Sequence, residues 1–475
     1  MAGITSLGAY VPIYRLNRDE IGKMWGGRST GGAKAVAGYD EDTVTMAVAA
    51  ALNCLKLGGA EADGLYLATT TAPYREKLSA SIVASAVDLP EECHVADFAD
   101  SLRAGTAALK AAIDAVAAGS AKKVMVVASD SRLGAAKGAL EQTLGDGAAA
   151  LMVGSEKVIA EVEGSYSVFN DFTDFWRTDE DKFPRSAEGR FIDEMGYLPT
   201  MQSAITGLLK KYKLNLGDFA AVVYYASDAR QHAALARRLK LEKTQVQDPL
   251  YNDIGNTGVA AAFLMLAAAL EKARPGDRIL FVGYGDGADA FILRVTDEIK
   301  KFQKKSIISH QLARKIAITY GQYLTWRGLV PVESSTLPER PPLSLQGRWR
   351  ERKAISALYG AKCKKCDAPQ ISQIGQTPRV CVNCQAKDEF EPYKFSDKKA
   401  TLFSYAIDQL QPTLNPPGVN GVIDFEGGGR MICELTDCDI DKVKVGMVVE
   451  MTFRKMFFSR GIHNYFWKAK PVVES

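Results

Sequence analysis

Hydrophobic and polar positions recur in a fixed order along the first three hundred residues. CHVADF (93–98) reads as a short apolar strand and ADSLR as a turn. An alanine-rich helix over 105–117 follows, then the apolar strand VMVVAS (124–129), and GDGAAALMVG (145–154) closes the stretch. The same succession returns with the turn IGNTG (254–258), a helix over 259–272, the strand ILFVGY (279–284) and GDGADAFILR (285–294). This repetition predicts a duplicated α/β unit. LYLAT (65–69) adds a strand to the first copy. AAVVYYAS (220–227), followed by the helix RQHAALARRLK, adds one to the second. Five-stranded mixed sheets enclosing paired helices satisfy this pattern, with both small-residue turns at helix N-termini near the interface of the halves.

After residue 300 the pattern changes. HQLARKIAITYGQYLTWR (310–327) predicts one amphipathic helix, and the proline-rich, basic PERPPLSLQGRWRERK predicts a linker. The segment 393–475 alternates β-rich runs with glycine turns (TLFSYAI, GVIDFEGGGRMICEL, GMVVEMTFRKMFF, YFWKAK), the mark of a small OB-type barrel. The expected organisation is two α/β halves (1–155 and 156–300), a helical segment and linker (301–353), a cysteine-rich module (354–392) and the barrel (393–475).

Composition narrows the functional classes. The 475 residues carry a net charge of only +3, with acidic and basic residues mixed along the barrel, so nucleic acid is not an expected partner. The apolar run VAAAFLMLAAAL (259–270) is too short to span a bilayer, and the N-terminus has no signal pattern. Of the eight cysteines, Cys363, Cys366, Cys381 and Cys384 form two CxxC pairs. Two such knuckles fit a four-thiolate structural zinc site with no open coordination position. Zn2+ bound by reduced thiols places the chain in the cytoplasm. Cys433 and Cys438 lack the knuckle spacing, and Cys54 and Cys93 read as core thiols. His94, His310 and His463 carry no motif; His232 reads as a core or surface residue on the helix after Tyr225.

GAYVPIYRL, DEDTVTMAVAAALN, SLRAGTAAL, FTDFWRTDEDKFPRSAEGRF, IGNTG and GYGDGADAF together resemble the thiolase superfamily, in particular 3-hydroxy-3-methylglutaryl-CoA synthases of the archaeal kind. Residues 354–475 resemble the zinc-ribbon/OB-fold companion protein of many thiolase-like enzymes, here fused. The resemblance implies a duplicated thiolase fold, a coenzyme A thioester as substrate, and a homodimer or a heteromer with a thiolase-like subunit through residues near 93–110. It also implies a Glu, a Cys and a His in catalysis. Leu102 stands where the Cys belongs, Thr70 where the Glu belongs and Tyr225 where the His belongs, while Asn256 of IGNTG is kept.

Leucine cannot attack a thioester, so acyl transfer through a thiol at position 102 is excluded. An acyl-CoA pocket with a phenol and no nucleophile suits (retro-)aldol chemistry on a 3-hydroxyacyl-CoA, in the manner of thiolase-fold retro-aldolases that lack the Cys and rely on tyrosines. Tyr225 is then the expected acid/base. Asn256 and N–H groups near Gly105 are the expected enolate donors. Two other classes stay open: a synthase or acyltransferase with an unusual nucleophile, and a non-catalytic acyl-CoA-binding subunit of a thiolase complex.

Overall fold

A computed structural model describes residues 2–59, 61–303, 307–333, 344–371 and 378–472. Two compact units emerge. The first comprises Met1–Gly38, Asp42–Ala84 and Leu89–Tyr323; the second comprises Tyr39–Glu41, Ser85–Asp88 and Leu324–Ser475.

The first unit is built on nine strands: β1 (Gly3–Tyr10), β2 (Gly64–Ala68), β3 (His94–Phe98), β4 (Lys123–Ser131), β5 (Asp146–Gly154), β6 (Ala160–Phe169), β7 (Ala221–Tyr224), β8 (Arg278–Tyr284) and β9 (Gly287–Val295). They form one sheet in the order β7-β8-β9-β6-β1-β5-β4-β2-β3. The duplication expected from the GDGA repeats is present: each GDGA strand, β5 and β9, lies antiparallel to the apolar strand before it. The halves are not separate five-stranded sheets. They share a seam in which Gly3 and Ile4 of β1 pair with Glu161 and Ala160 of β6. The second half's fifth strand shrinks to a single parallel bridge, Val222 to Val246.

Alanine-rich sequence explains the helices beside the sheet. Helix α1 (Thr43–Gly58) starts in a capping box in which Asp42 accepts from Val44 and Thr45 N–H and Thr45 answers to the Asp42 N–H. Helices α2 (Ala104–Ala117) and α3 (Ala261–Lys272) occupy equivalent places in the two halves, and their small side chains let them bury many residues. No helix among the described residues is long and apolar enough to cross a membrane.

The single helix expected over 310–327 is broken. Ile308–Ala313 and Tyr320–Trp326 are helical, but Ile316–Ile318 is a strand parallel to Tyr14–Leu16. β-branched residues on either side of Ala317 favour strand pairing over a helical turn. Part of the expected linker lies outside the described residues; beyond it Ser344 caps a helix at Leu345–Arg350, and Arg352–Ala357 is also helical.

The second unit holds a three-stranded module around the cysteines, with Tyr359–Cys363 between Pro369–Gln370 and Phe390–Lys394. It also holds a five-stranded OB-type sheet over Lys399–Pro471, whose open edge is closed by a bridge from Leu435 to Ala469. A buried ion cluster sits within this unit. Arg454 pairs with Glu41 at 2.6 Å and Asp437 at 2.5 Å, and Lys468 with Glu434 at 2.7 Å and Asp40 at 3.0 Å. Mutual pairing of both signs is what allows these charges to be buried.

Candidate active site and cysteine cluster

Strand β4 ends in Ser129-Asp130-Ser131, so its apolar run delivers a carboxylate at the carboxyl end of the sheet. Asp130 is fully buried. Its Oδ1 accepts from the Thr69 hydroxyl (3.0 Å), the Thr70 N–H (2.7 Å) and the Thr71 hydroxyl (3.1 Å). Its Oδ2 accepts from the Thr70 hydroxyl and the Val259 N–H, both at 3.0 Å. Five donors meet the requirement of a buried charge. Thr70, expected at the site from sequence, therefore binds Asp130. Gly258 is required here: its φ is +62°, and a Cβ would collide with the Asp130 carboxylate.

The N-terminal turn of α2 is fixed on both sides of Leu102. Ser101 donates to Asp286 at 2.7 Å, and Arg103 donates to the Val168 carbonyl at 2.8 Å and lies 3.8 Å from Asp289. Gly285 packs against this turn, and a Cβ there would lie 2.7 Å from the Arg103 nitrogen and 3.1 Å from the Leu102 nitrogen.

Two cavities meet at this turn. A cleft of about 610 Å³ is lined by Thr69–Arg75, Ser101, Leu102, Arg132, Asp174–Asp179 and Gly285–Asp286, among others. A chamber of about 10 Å³, the room of one water, is lined by Leu102, Thr106, Tyr225, Val259, Phe263 and Tyr284, among others. The structure thus brings Thr70 and Leu102 together on the cleft and sets Tyr225 in the chamber.

Tyr225 follows the last residue of β7 and is almost fully buried. Asn256 Nδ2 donates to its hydroxyl at 3.0 Å and to the Ser227 carbonyl at 3.1 Å, while Asn256 Oδ1 accepts from Gly258 N–H at 3.0 Å. Both amide hydrogens of Asn256 are thereby engaged within the protein, and the side chain holds Tyr225 in place. Burial pushes the Tyr225 phenol above its ordinary pKa, against the opposing pull of the Arg132 cation and the Asn256 hydrogen bond. Tyr225 is a protonated phenol at neutral pH.

Sequence reasoning missed Asp174 and Tyr284. Asp174 is the Asp of DFWR; it lines the cleft, and only 6% of it is exposed. Burial raises its carboxyl above the usual carboxylate range, opposed by hydrogen bonds from Tyr284 and its neighbour Phe175. Tyr284 ends β8 beside the chamber, and its phenol is held protonated by burial and by Asp174. Tyr197 packs edge-on against Tyr284 at 5.0 Å and donates to the Tyr225 carbonyl at 2.6 Å. The quoted motifs DFWR and GYGDG carried these residues, but nothing local marked them as partners.

The remaining candidates fall elsewhere. His232 is buried against Tyr224, their rings stacked at 4.3 Å, and burial lowers its pKa to about 4, so it is neutral and structural. Burial pushes the Cys54 thiol up to about 12 and Cys93 up to about 11; neither lines the cleft.

In the second unit the four ligand candidates converge, all Sγ atoms lying within 4.8 Å of one another. Cys363 and Cys384 are 3.6 Å apart, as are Cys366 and Cys381. A tetrahedral ion about 2.3 Å from each sulfur separates the sulfurs by about 3.8 Å, so the donor set fits zinc. The two knuckles are alike: Lys365 N–H points to Cys363 Sγ and Asn383 N–H to Cys381 Sγ, each at 3.4 Å. Such N–H groups stabilise thiolates.

Comparisons with known proteins agree with this architecture. Residues 209–295 match the family described as 3-oxoacyl-[acyl-carrier-protein (ACP)] synthase III C terminal, and residues 393–454 match ChsH2, C-terminal OB-fold domain. The chain is 35% identical over 335 residues to the hydroxymethylglutaryl-CoA synthase of Methanopyrus kandleri, covering 68% of this chain and 95% of that one. It is 36% identical over 333 residues to that of Pyrococcus horikoshii, covering 68% and 94%. Among solved structures, an HMG-CoA synthase complexed with CoA superposes with a TM-score of 0.63 at 22% identity, covering 68% of this chain and 89% of that one. The 3-oxoacyl-(acyl carrier protein) synthase III of Pseudomonas aeruginosa gives 0.57 at 18% identity, covering 62% and 98%. These two structural likenesses show the thiolase-type fold.

Proposed function

The chain belongs to the hydroxymethylglutaryl-CoA synthase family, and on that premise we propose that it makes or breaks a carbon–carbon bond in a 3-hydroxyacyl-CoA by (retro-)aldol chemistry, with no acylated thiol. The observation that carries this reading is that one cleft is lined by Leu102, just before the α2 N-terminus, and by Asp174, a buried carboxyl whose pKa is raised.

In the cleavage direction the Asp174 carboxylate takes the proton of the 3-hydroxyl. The C2–C3 bond breaks, its electron pair moves into the thioester carbonyl, and the C3 fragment leaves as an aldehyde or ketone. Arg132 on the cleft wall stabilises the enolate oxygen, and C2 then takes the proton from Asp174. Addition is the same path reversed. Two protonated phenols stand near that carboxyl: Tyr284, and Tyr225 held by Asn256. A synthase reading has the relatives' activity in its favour, but it needs a thiolate at the cleft, and neither the buried Cys54 nor the half-buried Cys93 lines it.

Asp174→Asn removes the base and should lower cleavage of a 3-hydroxyacyl-CoA by roughly two to four orders of magnitude. Tyr225→Phe should cost less, since Tyr225 lies in the chamber and does not line the cleft. Because burial raises the Asp174 pKa, wild-type kcat/KM should fall with decreasing pH at a midpoint above the ordinary carboxylate value of about 4. Full activity in Asp174→Asn would remove Asp174 from the chemistry. No cleavage or addition by the wild-type chain, alone or with a thiolase subunit whose own Cys is essential, would identify it as a supporting subunit.

The cysteine cluster is proposed to hold one structural zinc, in keeping with a reducing, cytoplasmic setting. Elemental analysis should find about one zinc per chain, lost on Cys381→Ser; protein purified without chelator and free of zinc would contradict the assignment. Strand β3, at one end of the sheet, is the proposed surface for a second copy or a thiolase-like subunit through residues near 93–110. Sedimentation should give a dimer or larger species, and a strictly monomeric mass at micromolar concentration would contradict it.

A further inference from the structure

Asn256 holds Tyr225 through its side chain, and its own backbone is held in turn. Its N–H donates to the Thr143 carbonyl at 2.8 Å, and its carbonyl accepts from the Gly145 N–H at 2.9 Å. The two segments approach closely enough to need glycine on both. A Cβ on Gly145 would lie 2.0 Å from the Ile254 carbonyl oxygen, and one on Gly255, whose φ is +77°, would lie 2.9 Å from that of Thr143.

Thr143 ends the short helix Ala139–Thr143. The last carbonyls of a helix have no partner within it. Here three in a row are met by groups from elsewhere in the chain: Glu141 by the Lys34 ammonium, Gln142 by Arg18 Nε at 2.9 Å, and Thr143 by Asn256. Arg18 reaches further. Its Nη1 donates to the Gly31 carbonyl at 2.7 Å and its Nη2 to the Tyr251 carbonyl at 2.6 Å, with the guanidinium 4.2 Å from the centre of the Tyr251 ring. Tyr251 opens the helix Tyr251–Ile254 that leads into Gly255 and Asn256. One guanidinium thus joins the backbone before Thr143 to the backbone before Asn256. Arg18 is fully buried, and its hydrogen-bond partners are carbonyls rather than carboxylates. A cation buried in this way is costly, and burial pulls its pKa below the ordinary guanidinium value. Only a planar fork of N–H donors spans three carbonyls at once.

We propose that Arg18 is a positioning residue of the site, acting through Asn256 to fix the Tyr225 hydroxyl. Without the guanidinium, Gln142 and Tyr251 lose their shared donor, the segments that clamp Asn256 loosen, and its amide leaves the phenol. The bearing of Arg18 on catalysis rests on the (retro-)aldol reading above; its effect on Tyr225 does not.

The test places 3-fluorotyrosine at position 225 of the full chain and reads it by 19F NMR. Asn256→Ala supplies the reference signal for a phenol without the amide. Arg18→Met should move the signal toward that reference, and adding Arg18→Met to Asn256→Ala should move it no further. With unlabelled protein, the loss of turnover in Arg18→Met should not add to the loss in Tyr225→Phe. Should methionine yield no folded protein, Arg18→Lys keeps the charge but cannot span the three carbonyls, and it should shift the signal in the same direction. A folded variant with the wild-type signal, or a further shift on top of Asn256→Ala, overturns the proposal. Loss of the fold in both Arg18 variants overturns it too, since Arg18 is then a residue of the core and not of the site. A signal that moves while turnover holds supports the positioning and removes Tyr225 from the reaction instead.

Discussion

The buried carboxylate of Asp130 is the interaction on which the site depends. It lies at the end of β4 in the first half, yet it fastens the threonines after β2 and the N–H of Val259 in the second half. A buried carboxylate needs such donors. This one ties Thr69–Thr71 on the cleft wall to Val259 on the chamber wall.

The same logic separates the two carboxyls near the cleft. Asp130 accepts five hydrogen bonds and serves to hold the wall together. Asp174 is buried with fewer partners, is raised in pKa, and is placed on the wall a ligand would meet. Environment divides the work between side chains of identical chemistry. Just before the N-terminus of α2, Leu102 stands where a thiol would be activated, and a leucine cannot attack a thioester.

Much of the fold was legible because it is written locally. The two GDGA strands, the apolar strands before them, the alanine-rich helices and the CxxC pairs are each contained in a short window, and the structure carries them. The break at Ile316–Ile318 was not legible, because its strand character comes from pairing with Tyr14–Leu16, three hundred residues away. The site was half legible. Thr70, Leu102, Tyr225 and Asn256 could be placed by motif, but in SDS and TDFWR a buried carboxylate looks the same as a solvated one. Asp130 differs from a surface aspartate through its burial against Val259 and the threonines, and Asp174 through its burial beside Tyr284.

The central claim is that this member of the family works without an acylated thiol. Intact-mass spectrometry after incubation with acetyl-CoA and longer acyl-CoAs tests it most directly. The account predicts an unchanged mass, since Leu102 offers no nucleophile and the Cys54 and Cys93 thiols stay protonated. A stable acyl adduct mapped to any cysteine of the first unit would contradict it and return the protein to acyl-transfer chemistry.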